Sequence, residues 1–334
     1  MKKIFLLISQ ALAVLAAFAQ QDPQFTQNMF MKLPVNPGYA GTRGALCATT
    51  AYRTQWVGFA GAPKTFYMSV DIPVYDLNGG LGMVVMKDKL GNFNFTHARG
   101  SYAYHRPMNK GIGLLSIGLE LGFMQASVDN IWLAPDGSHG ESDPEIPDDI
   151  VRDMTYDVGA GIYYRTDKYY VGASISHAPG SAQKLMANQF NYQAAQHGYI
   201  MAGYILRPSS WLAIRPSLFA KMDGAVAALD LHCDLLFEDR IWAGLSYRPG
   251  DAIAPKVGIA LRPNGTKSAS LLKIGYAYDL GISDLKGHHN NTHEIVVNYC
   301  IRWAKPGSTH QNPRLMGDER EQPDPPISEM NWIE

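Results

Sequence analysis

Apolar side chains recur at every second position over runs of about ten residues, and turn residues separate the runs. In the run 229–237, leucines, a cysteine and a phenylalanine share one face, whereas Asp230, His232 and Asp234 share the other. The last run, 293–303, alternates in the same way, with Glu294 on its polar face. A period of two places each set on one side of a β-sheet. The pattern therefore predicts an all-β protein.

Fourteen such runs predict an even number of strands, which a closed single-chain barrel favours. They cover roughly residues 43–55, 63–73, 80–88, 93–106, 111–124, 154–165, 168–177, 197–207, 210–222, 225–237, 240–248, 253–262, 267–278 and 293–303. The three long connections, 125–153, 178–196 and 279–292, all fall at one end, and the alternate connections at the other end are short. Outer-membrane barrels place long loops outside the cell and short turns in the periplasm. We therefore expect a transmembrane antiparallel β-barrel of about 14 strands over residues 42–303, in the outer membrane.

The two faces of the predicted strands also suit a membrane barrel. The polar face of the run 115–122 is rich in glycine, which is typical of a crowded interior, and the opposite face is apolar. Aromatic residues gather near strand ends, as in the girdles of outer-membrane barrels. The predicted girdle residues are Trp56, Tyr104, Phe123, Tyr163, Tyr164, Tyr169, Tyr170, Trp211, Trp242, Tyr247, Tyr276, Tyr278 and Trp303.

Three segments lie outside the predicted barrel. Residues 1–19 have the basic start, apolar run and Ala17-Phe18-Ala19 cleavage site of a signal peptide. Residues 20–41 are predicted to form a short N-terminal plug or periplasmic segment, with Asp22, Phe25, Asn36, Pro37, Tyr39 and Arg43 as plug candidates. Residues 304–334 are rich in proline and charge and predict a flexible C-terminal periplasmic tail. Both termini are expected in the periplasm.

Composition and motifs argue against several classes of function. The charged fraction of 18% lies below the usual ~25%, and a net charge of −1 argues against a nucleic-acid-binding surface. The three cysteines are an odd number without C-x-x-C spacing, so we expect packing residues rather than a disulfide framework or a zinc site. Walker, dinucleotide and nucleophile-elbow motifs are absent, and His177 is expected on the opposite face from Ser174 and Ser176. We therefore expect no enzyme, no catalytic residue and no cofactor.

Each of three sets of polar residues has two alternative interpretations. The row Asp230, His232 and Asp234 suits a metal or acid–base site, but a lumen row paired with basic residues such as Arg99, Arg215, Lys256, Lys273 or Arg302 is the favoured interpretation. The histidines 288, 289 and 293 form either a metal-binding or a solvated loop. The acidic loop, which suits calcium or a protein partner, contains Asp136, Glu141, Asp143, Glu145, Asp148, Asp149 and Asp153.

Several motifs together resemble one family. They include Asp22-Pro23-Gln24-Phe25, Asn36-Pro37-Gly38-Tyr39, Tyr52-Arg53-Thr54-Gln55-Trp56, Ser246-Tyr247-Arg248-Pro249-Gly250 and, in the tail, Asn312-Pro313-Arg314-Leu315-Met316. On these motifs the chain is similar to the PorP/SprF outer-membrane proteins of the type IX secretion system, over nearly the whole mature chain.

The resemblance implies a non-enzymatic outer-membrane component. Its implied partners are outer-membrane lipid, the PorK/PorN ring and a peptidoglycan-binding protein. A surface-exported cargo with a C-terminal signal, such as a gliding-motility adhesin, is also implied. Partner-binding candidates are the acidic loop and Asn312, Pro313 and Arg314. The mixed charges expected in the lumen favour an anchor over a conduit. The alternative function is a passive outer-membrane transporter for small hydrophobic molecules, which also uses a plugged 14-stranded barrel.

Overall fold

The chain forms one closed barrel of fourteen antiparallel strands. The computed structural model describes residues 22–129, 150–178, 184–185, 192–193, 195–223, 227–263, 270–283 and 291–301. Each barrel strand pairs with its sequence neighbours along the wall, and the first strand pairs with the last to close the ring. The predicted fold class, an all-β transmembrane antiparallel barrel, is confirmed.

The fourteen predicted runs correspond one to one to the barrel strands. These are β1 (Leu46–Thr54), β2 (Lys64–Val74), β3 (Gly79–Leu90), β4 (Phe93–Met108), β5 (Gly113–Val128), β6 (Val151–Thr166), β7 (Tyr169–Ser176), β10 (His197–Tyr204), β11 (Leu212–Met222), β12 (Ala227–Phe237), β13 (Ile241–Arg248), β14 (Ala252–Leu261), β15 (Ser270–Gly281) and β16 (Thr292–Ile301). Two short strands, β8 (Lys184–Leu185) and β9 (Tyr192–Gln193), pair with each other between β7 and β10. The described part of the chain has no helix with the length and apolar character needed to cross a bilayer.

Strands β4, β5 and β6 are longer than the sequence pattern predicts. Each has 16 residues, more than the ~9–11 that cross a bilayer. At the far end of β5 the buried residues are Met124, Ala126 and Val128, which pack against Phe93 and Phe95. Because the inner face there is apolar, the alternation that marks the rest of the strand fades, and the predicted strand ends too early.

The two ends of the barrel differ in the length of their connections. One end, here called the long-loop end, carries the four longest connections, 55–63, 129–150, 177–196 and 282–291, together with the short connections 91–92, 223–226 and 249–251. The other, the short-turn end, carries 75–78, 109–112, 167–168, 205–211, 238–240 and 262–269. Strand β1 begins and β16 ends at the short-turn end, where Leu46 is opposite Ile301. The predicted segregation of loop lengths is therefore present.

Alternation sorts the wall into an apolar outer face and a polar inner face. On β5, Ile117, Leu119 and Leu121 are exposed, while Ser116 and Glu120 are buried. Tyr104, Tyr169, Tyr204 and Trp211 form an outward aromatic band near the short-turn end. Because a lipid-facing surface must be apolar, this arrangement is that of a membrane barrel.

Three of the predicted girdle residues are instead lumen residues. Tyr163, Tyr170 and Trp242 are buried on the inner face. Trp242 lies flat on Gly258 of the next strand, where an added Cβ would lie 2.0 Å from the indole ring. A ring can occupy a crowded lumen when the neighbouring strand offers a glycine, and position near a strand end does not reveal which face the ring takes.

The expectation that the cysteines are packing residues is wrong for two of them. Cys47 on β1 and Cys300 on β16 form a disulfide across the seam that closes the barrel. Their separation of 253 residues hides a direct cross-strand pairing, because barrel closure brings the first and last strands together. Cys233 is exposed on the outer face.

The segment 22–44, here called the plug segment, lies inside the barrel. It begins at the long-loop end, where Asp22 contacts His177 and Lys221, and reaches the short-turn end at Arg43 beside Asp71. The two ends of the described chain, Asp22 and the end of β16, therefore lie at opposite ends of the barrel. The segment crosses the lumen once before β1 begins, and the two termini, which are expected in the periplasm, fall in 1–21 and 302–334, outside the described residues.

Candidate functional site: the plugged lumen

The first half of the plug segment, residues 22–30, is held by charged side chains. Main-chain N–H groups of Thr26 and Gln27 donate to the two carboxylate oxygens of Glu294, each at 2.8 Å. Arg53 bridges Glu294 at 3.0 Å and Asp279 at 2.8 Å, and the Thr26 hydroxyl donates to Asp279. All five residues are buried. The guanidinium thus joins two wall carboxylates, both of which bind the plug segment.

Asp22 anchors the beginning of the plug segment. Its carboxylate accepts hydrogen bonds from the Tyr199 hydroxyl at 2.5 Å and from His177 Nε2 at 3.0 Å. The Lys221 ammonium donates to the main-chain carbonyl of Asp22 at 2.6 Å. His177 Nδ1 lies 3.0 Å from Asp157, so this imidazole is placed between two carboxylates.

These contacts shift the pKa values of both partners. Burial by itself would raise the pKa of Asp22, but the charge and hydrogen bond of His177 outweigh it and hold that pKa well below its ordinary value. Burial would lower the pKa of His177, but Asp22 and Asp157 together raise it to about 10. The pair is therefore ionised at neutral pH.

His177 corrects one expectation from the sequence. Strand alternation places it on the face opposite Ser174 and Ser176, yet its side chain is buried in the lumen. Strand β7 ends at Ser176, and His177 adopts a left-handed backbone with φ of 52°. The change of backbone conformation turns the ring inward, which a period of two cannot predict. Ser174 does not meet this ring, because its hydroxyl donates to the main-chain carbonyl of Val35.

The polar row on β12 faces the lumen. Asp230 pairs with Arg248 at 2.9 Å, and Asp234 pairs with Lys256 at 2.9 Å. Arg248 lies on β13 and Lys256 lies on β14, so the pairs follow the wall rather than cross the lumen. His232 lies 2.6 Å from Ser246 Oγ and 3.1 Å from the Asn28 amide of the plug segment. The Asn28 amide also donates to Asp230 Oδ2 at 3.2 Å, so this row of paired wall residues contacts the plug segment at both Asp230 and His232.

The second half of the plug segment, residues 31–44, is held mainly by its main chain and by rings. Asn36 Oδ1 accepts from Gly38 N at 2.9 Å and so caps the 3-10 turn Pro37–Tyr39, while Asn36 Nδ2 donates to the Ile162 carbonyl at 3.0 Å. Tyr39 packs edge-on against Tyr163, with 5.5 Å between ring centroids. Four wall side chains bond plug carbonyls: Arg99 to Pro34, Ser174 to Val35, His105 to Ala40 and Arg165 to Thr42.

Glycines on the inner face of the wall pack closely against this second half. An added Cβ at Gly118 would lie 2.3 Å from the carbonyl carbon of Pro37, and one at Gly161 would lie 2.2 Å from Asn36 Oδ1. At Gly80 it would lie 2.2 Å from the Ala40 oxygen. The glycine-rich inner face predicted from the sequence therefore allows close approach of the plug backbone.

The remaining plug candidates also make specific contacts. Phe25 packs against Tyr67 with 5.6 Å between ring centroids. Arg43 forms a buried ion pair with Asp71, which also accepts from Gly41 N. Lys32, which the sequence analysis did not select, lies 3.7 Å above the Tyr170 ring. Such a cation–π contact contributes about 0.5–2 kcal/mol, with the larger values where the ammonium is desolvated.

Most of the predicted partner-binding residues fall outside the described residues. They are Asp136, Glu141, Asp143, Glu145, Asp148, Asp149, Asn312, Pro313 and Arg314. Asp153 lies on β6, half-buried, and accepts from its neighbour's N–H at 2.8 Å. Histidines 288 and 289 are also outside the described residues, and His293 faces outward against Tyr276 and Tyr278.

Sequence reasoning missed several lumen residues. Arg53, Arg248 and Asp279 were not selected, although each has the inward parity of its strand. The alternation of inward and outward positions along each strand is enough to predict that these side chains face the lumen. The convergence of Arg53 and Asp279 on Thr26 was not visible, because it depends on which strands meet when the barrel closes.

The fold and the occupied lumen define a plugged transmembrane β-barrel of the outer-membrane class. The model of the PorP/SprF family, described as type IX secretion system membrane protein PorP/SprF, matches residues 17–299. The chain belongs to this family and is a type IX secretion outer-membrane component. No curated protein matches the chain.

Several solved structures are similar to this chain at low sequence identity. A CymD monoaromatic hydrocarbon channel has 13% identity and a TM-score of 0.47, with 78% of this chain and 88% of that chain covered. A Pseudomonas aeruginosa FadL homologue has 10% identity and a TM-score of 0.45, with coverage of 80% and 93%. The Ralstonia pickettii toluene transporter TbuX has 9% identity and a TM-score of 0.44, with coverage of 82% and 93%.

Proposed function

We propose that this barrel acts in type IX secretion as a non-catalytic anchor, which holds periplasmic machinery, a surface-exported cargo, or both at the outer membrane. The observation that supports this role is the occupied lumen. The plug segment is bound from β1, β15 and β16 near one end and from β4, β5 and β6 near the other. A barrel whose interior is filled by its own chain offers its two ends, not its lumen, to other proteins.

Barrel size supports the same role. Aqueous channels in barrels of this kind have ~16 or more strands, whereas fourteen strands with an internal segment leave no comparable bore. Folded cargo must therefore cross elsewhere. The lumen also mixes signs, since buried Arg53, Arg99 and Lys256 are paired with carboxylates. An ion-selective pore is expected to show one dominant sign of charge, whereas these pairs contain both signs.

We further propose that the short-turn end faces the periplasm and the long-loop end faces outward, as in other outer-membrane barrels. Strand β16 ends at the short-turn end, so residues 304–334, with Asn312, Pro313 and Arg314, continue from the periplasmic side. There they would contact the PorK/PorN ring and a peptidoglycan-binding partner. The acidic residues between Asp136 and Asp153 connect strands at the outward end and would contact cargo, such as an adhesin.

Copurification from native membranes tests the anchoring role. Tagged full-length protein, a variant lacking 304–334, and a variant with 130–149 replaced by a Gly/Ser linker of equal length are each purified after mild cross-linking. We expect the ring proteins to copurify with the full-length protein and the loop variant, but not with the variant that lacks 304–334. Secretion of cargo is expected to fall in the loop variant, whose ring contacts remain.

The competing function is passive transport of small hydrophobic molecules. It predicts steady conductance in planar bilayers or a lipid ligand that copurifies in the lumen. Either result, together with equal recovery of the ring by all three proteins, would contradict the anchoring role. The ion pairs that line the plug segment give an apolar ligand few favourable contacts, because displacing a buried charged partner is costly.

A further inference from the structure

Three potential metal ligands meet at the long-loop end of the lumen. Asp22 comes from the plug segment, His177 follows β7, and His197 begins β10. One ligand atom from each lies within 4.8 Å of the other two. Among the described residues, this is the one group of three or more histidine, cysteine or acidic side chains that meets this distance.

The second nitrogen of each imidazole already has an acceptor. His177 Nδ1 lies 3.0 Å from Asp157 Oδ1, and His197 Nδ1 lies 2.9 Å from the Ala195 carbonyl. Histidines that bind metals commonly donate the other ring N–H to a carboxylate or a backbone carbonyl, which fixes the tautomer and the ring. Both rings therefore present Nε2 toward Asp22.

The carboxylate of Asp22 is oriented in a similar way. Its Oδ2 accepts from the Tyr199 hydroxyl at 2.5 Å, which leaves Oδ1 toward His177 Nε2 at 3.0 Å. The main-chain N–H of Asp22 lies 3.5 Å from His197 Nε2, so the second ring also faces this residue. Each of the three ligands thus has one supporting contact of its own.

We propose that Asp22 Oδ1, His177 Nε2 and His197 Nε2 bind a divalent first-row transition metal of the zinc type. Two imidazole nitrogens and one carboxylate oxygen suit Zn²⁺ and its neighbours, whereas Ca²⁺ and Mg²⁺ prefer oxygen ligands. Water supplies the remaining position. On binding, His177 Nε2 releases its proton to solvent and forms the bond to the metal, while Nδ1 keeps its hydrogen bond to Asp157.

Local charge favours a cation. With both imidazoles neutral, the carboxylates of Asp22 and Asp157 face one ammonium, that of Lys221. Arg99, the other base near Asp157, pairs more closely with Glu120, at 2.9 Å against 3.9 Å. Once His177 has released its proton, the group therefore has one unbalanced negative charge, which the metal ion balances. A bound ion would fasten the start of the plug segment to two wall strands.

Metal titration of the full-length protein in detergent tests the site. The protein is stripped with chelator and titrated with Zn²⁺ in competition with a chelating dye, and Co²⁺ is used to record ligand-field absorption. We expect one tight site per chain with a tetrahedral Co²⁺ spectrum. His177→Gln and His197→Gln should weaken binding by more than about 100-fold, because loss of a ligand exceeds the 10–100-fold effect of losing a supporting contact.

Two further variants control for folding and for adventitious binding. Asp22→Asn alters only the plug segment, so the barrel wall stays intact, and it should also weaken binding. His293→Gln is the matched control, since this histidine lies at the same end but faces outward. Unchanged Zn²⁺ affinity in Asp22→Asn and the folded histidine variants would overturn the proposal. Absence of a tight site in the wild type, or its loss only in His293→Gln, would overturn it too.

Discussion

The two halves of the plug segment are held by different physical means. Residues 22–30 meet ionised side chains, above all Arg53, Asp279 and Glu294. Residues 31–44 meet backbone and rings, with Pro37 seated on Gly118 and Tyr39 against Tyr163. The first half depends mainly on matching charge, and the second, apart from the Arg43–Asp71 ion pair near its end, depends mainly on matching shape.

This difference has energetic consequences. A buried ion pair adds little net stability relative to an apolar pair, but removing one partner leaves an uncompensated charge and is costly. A close backbone contact is insensitive to charge but responds to any added atom, because interiors are close-packed. The two halves should therefore fail under different substitutions, which makes the comparison testable.

The largest effect is expected from Arg53→Met. This change leaves Glu294 and Asp279 without their shared guanidinium, so the free energy of unfolding should fall by about 3–5 kcal/mol. Guanidinium unfolding in lipid vesicles, followed by tryptophan fluorescence, measures it. Arg207→Met is the control, because its pair with Asp239 is partly exposed and exposed pairs contribute only ~0–1 kcal/mol. Equal losses in the two variants would mean that the charges at 22–30 do not hold the plug segment.

A smaller effect is expected from Gly118→Ala. The added Cβ meets the main chain of Pro37, which cannot rotate away, so we expect a loss of about 1–3 kcal/mol. The same unfolding assay applies, and limited proteolysis of residues 31–44 should become faster. Gly100→Ala is the control, since its Cβ would point outward with 4.0 Å to the nearest atom. If both alanine variants have the same free energy of unfolding, close approach of the plug backbone to the wall glycines does not stabilise the second half.

The smallest effect per measured step, here one pH unit, is a pH dependence at the start of the first half. The folded pKa of His177, about 10, lies above its ordinary value of 6.5, so the folded state holds an extra proton between these values. This contribution is complete below about pH 6.5, declines as the pH rises from 6.5 to 10, and is lost above 10. The pKa of Asp22 is lowered, so its contribution persists throughout this window.

Unfolding free energies measured with chelator between pH 6.5 and 10 test this dependence. The wild type should lose at most about 1.4 kcal/mol per pH unit, the limit for one proton. His177→Gln should remove that slope, and His293→Gln should retain it. A slope that is the same in wild type and His177→Gln would show that this imidazole is not held between two carboxylates.

Much of the barrel could be predicted from alternation alone. Alternation predicts that Asp230, Asp234, Glu294 and Lys273 face the lumen, and each is buried there. Parity works because a strand has only two faces and the lipid excludes charge from one of them. It failed at His177, where the strand has ended, and it missed the end of β5 beyond Met124, where the inner face is apolar.

The sequence by itself determined the strands, their faces and the family of this protein, because those depend on local periodicity and on motifs within single segments. The tertiary structure decided which residues meet. The Cys47–Cys300 disulfide, the bridge from Arg53 to Asp279 and Glu294, and the group of Asp22, His177 and His197 each join segments far apart in the chain. Barrel closure and the single passage of the plug segment bring them together, and neither leaves a local pattern in the sequence.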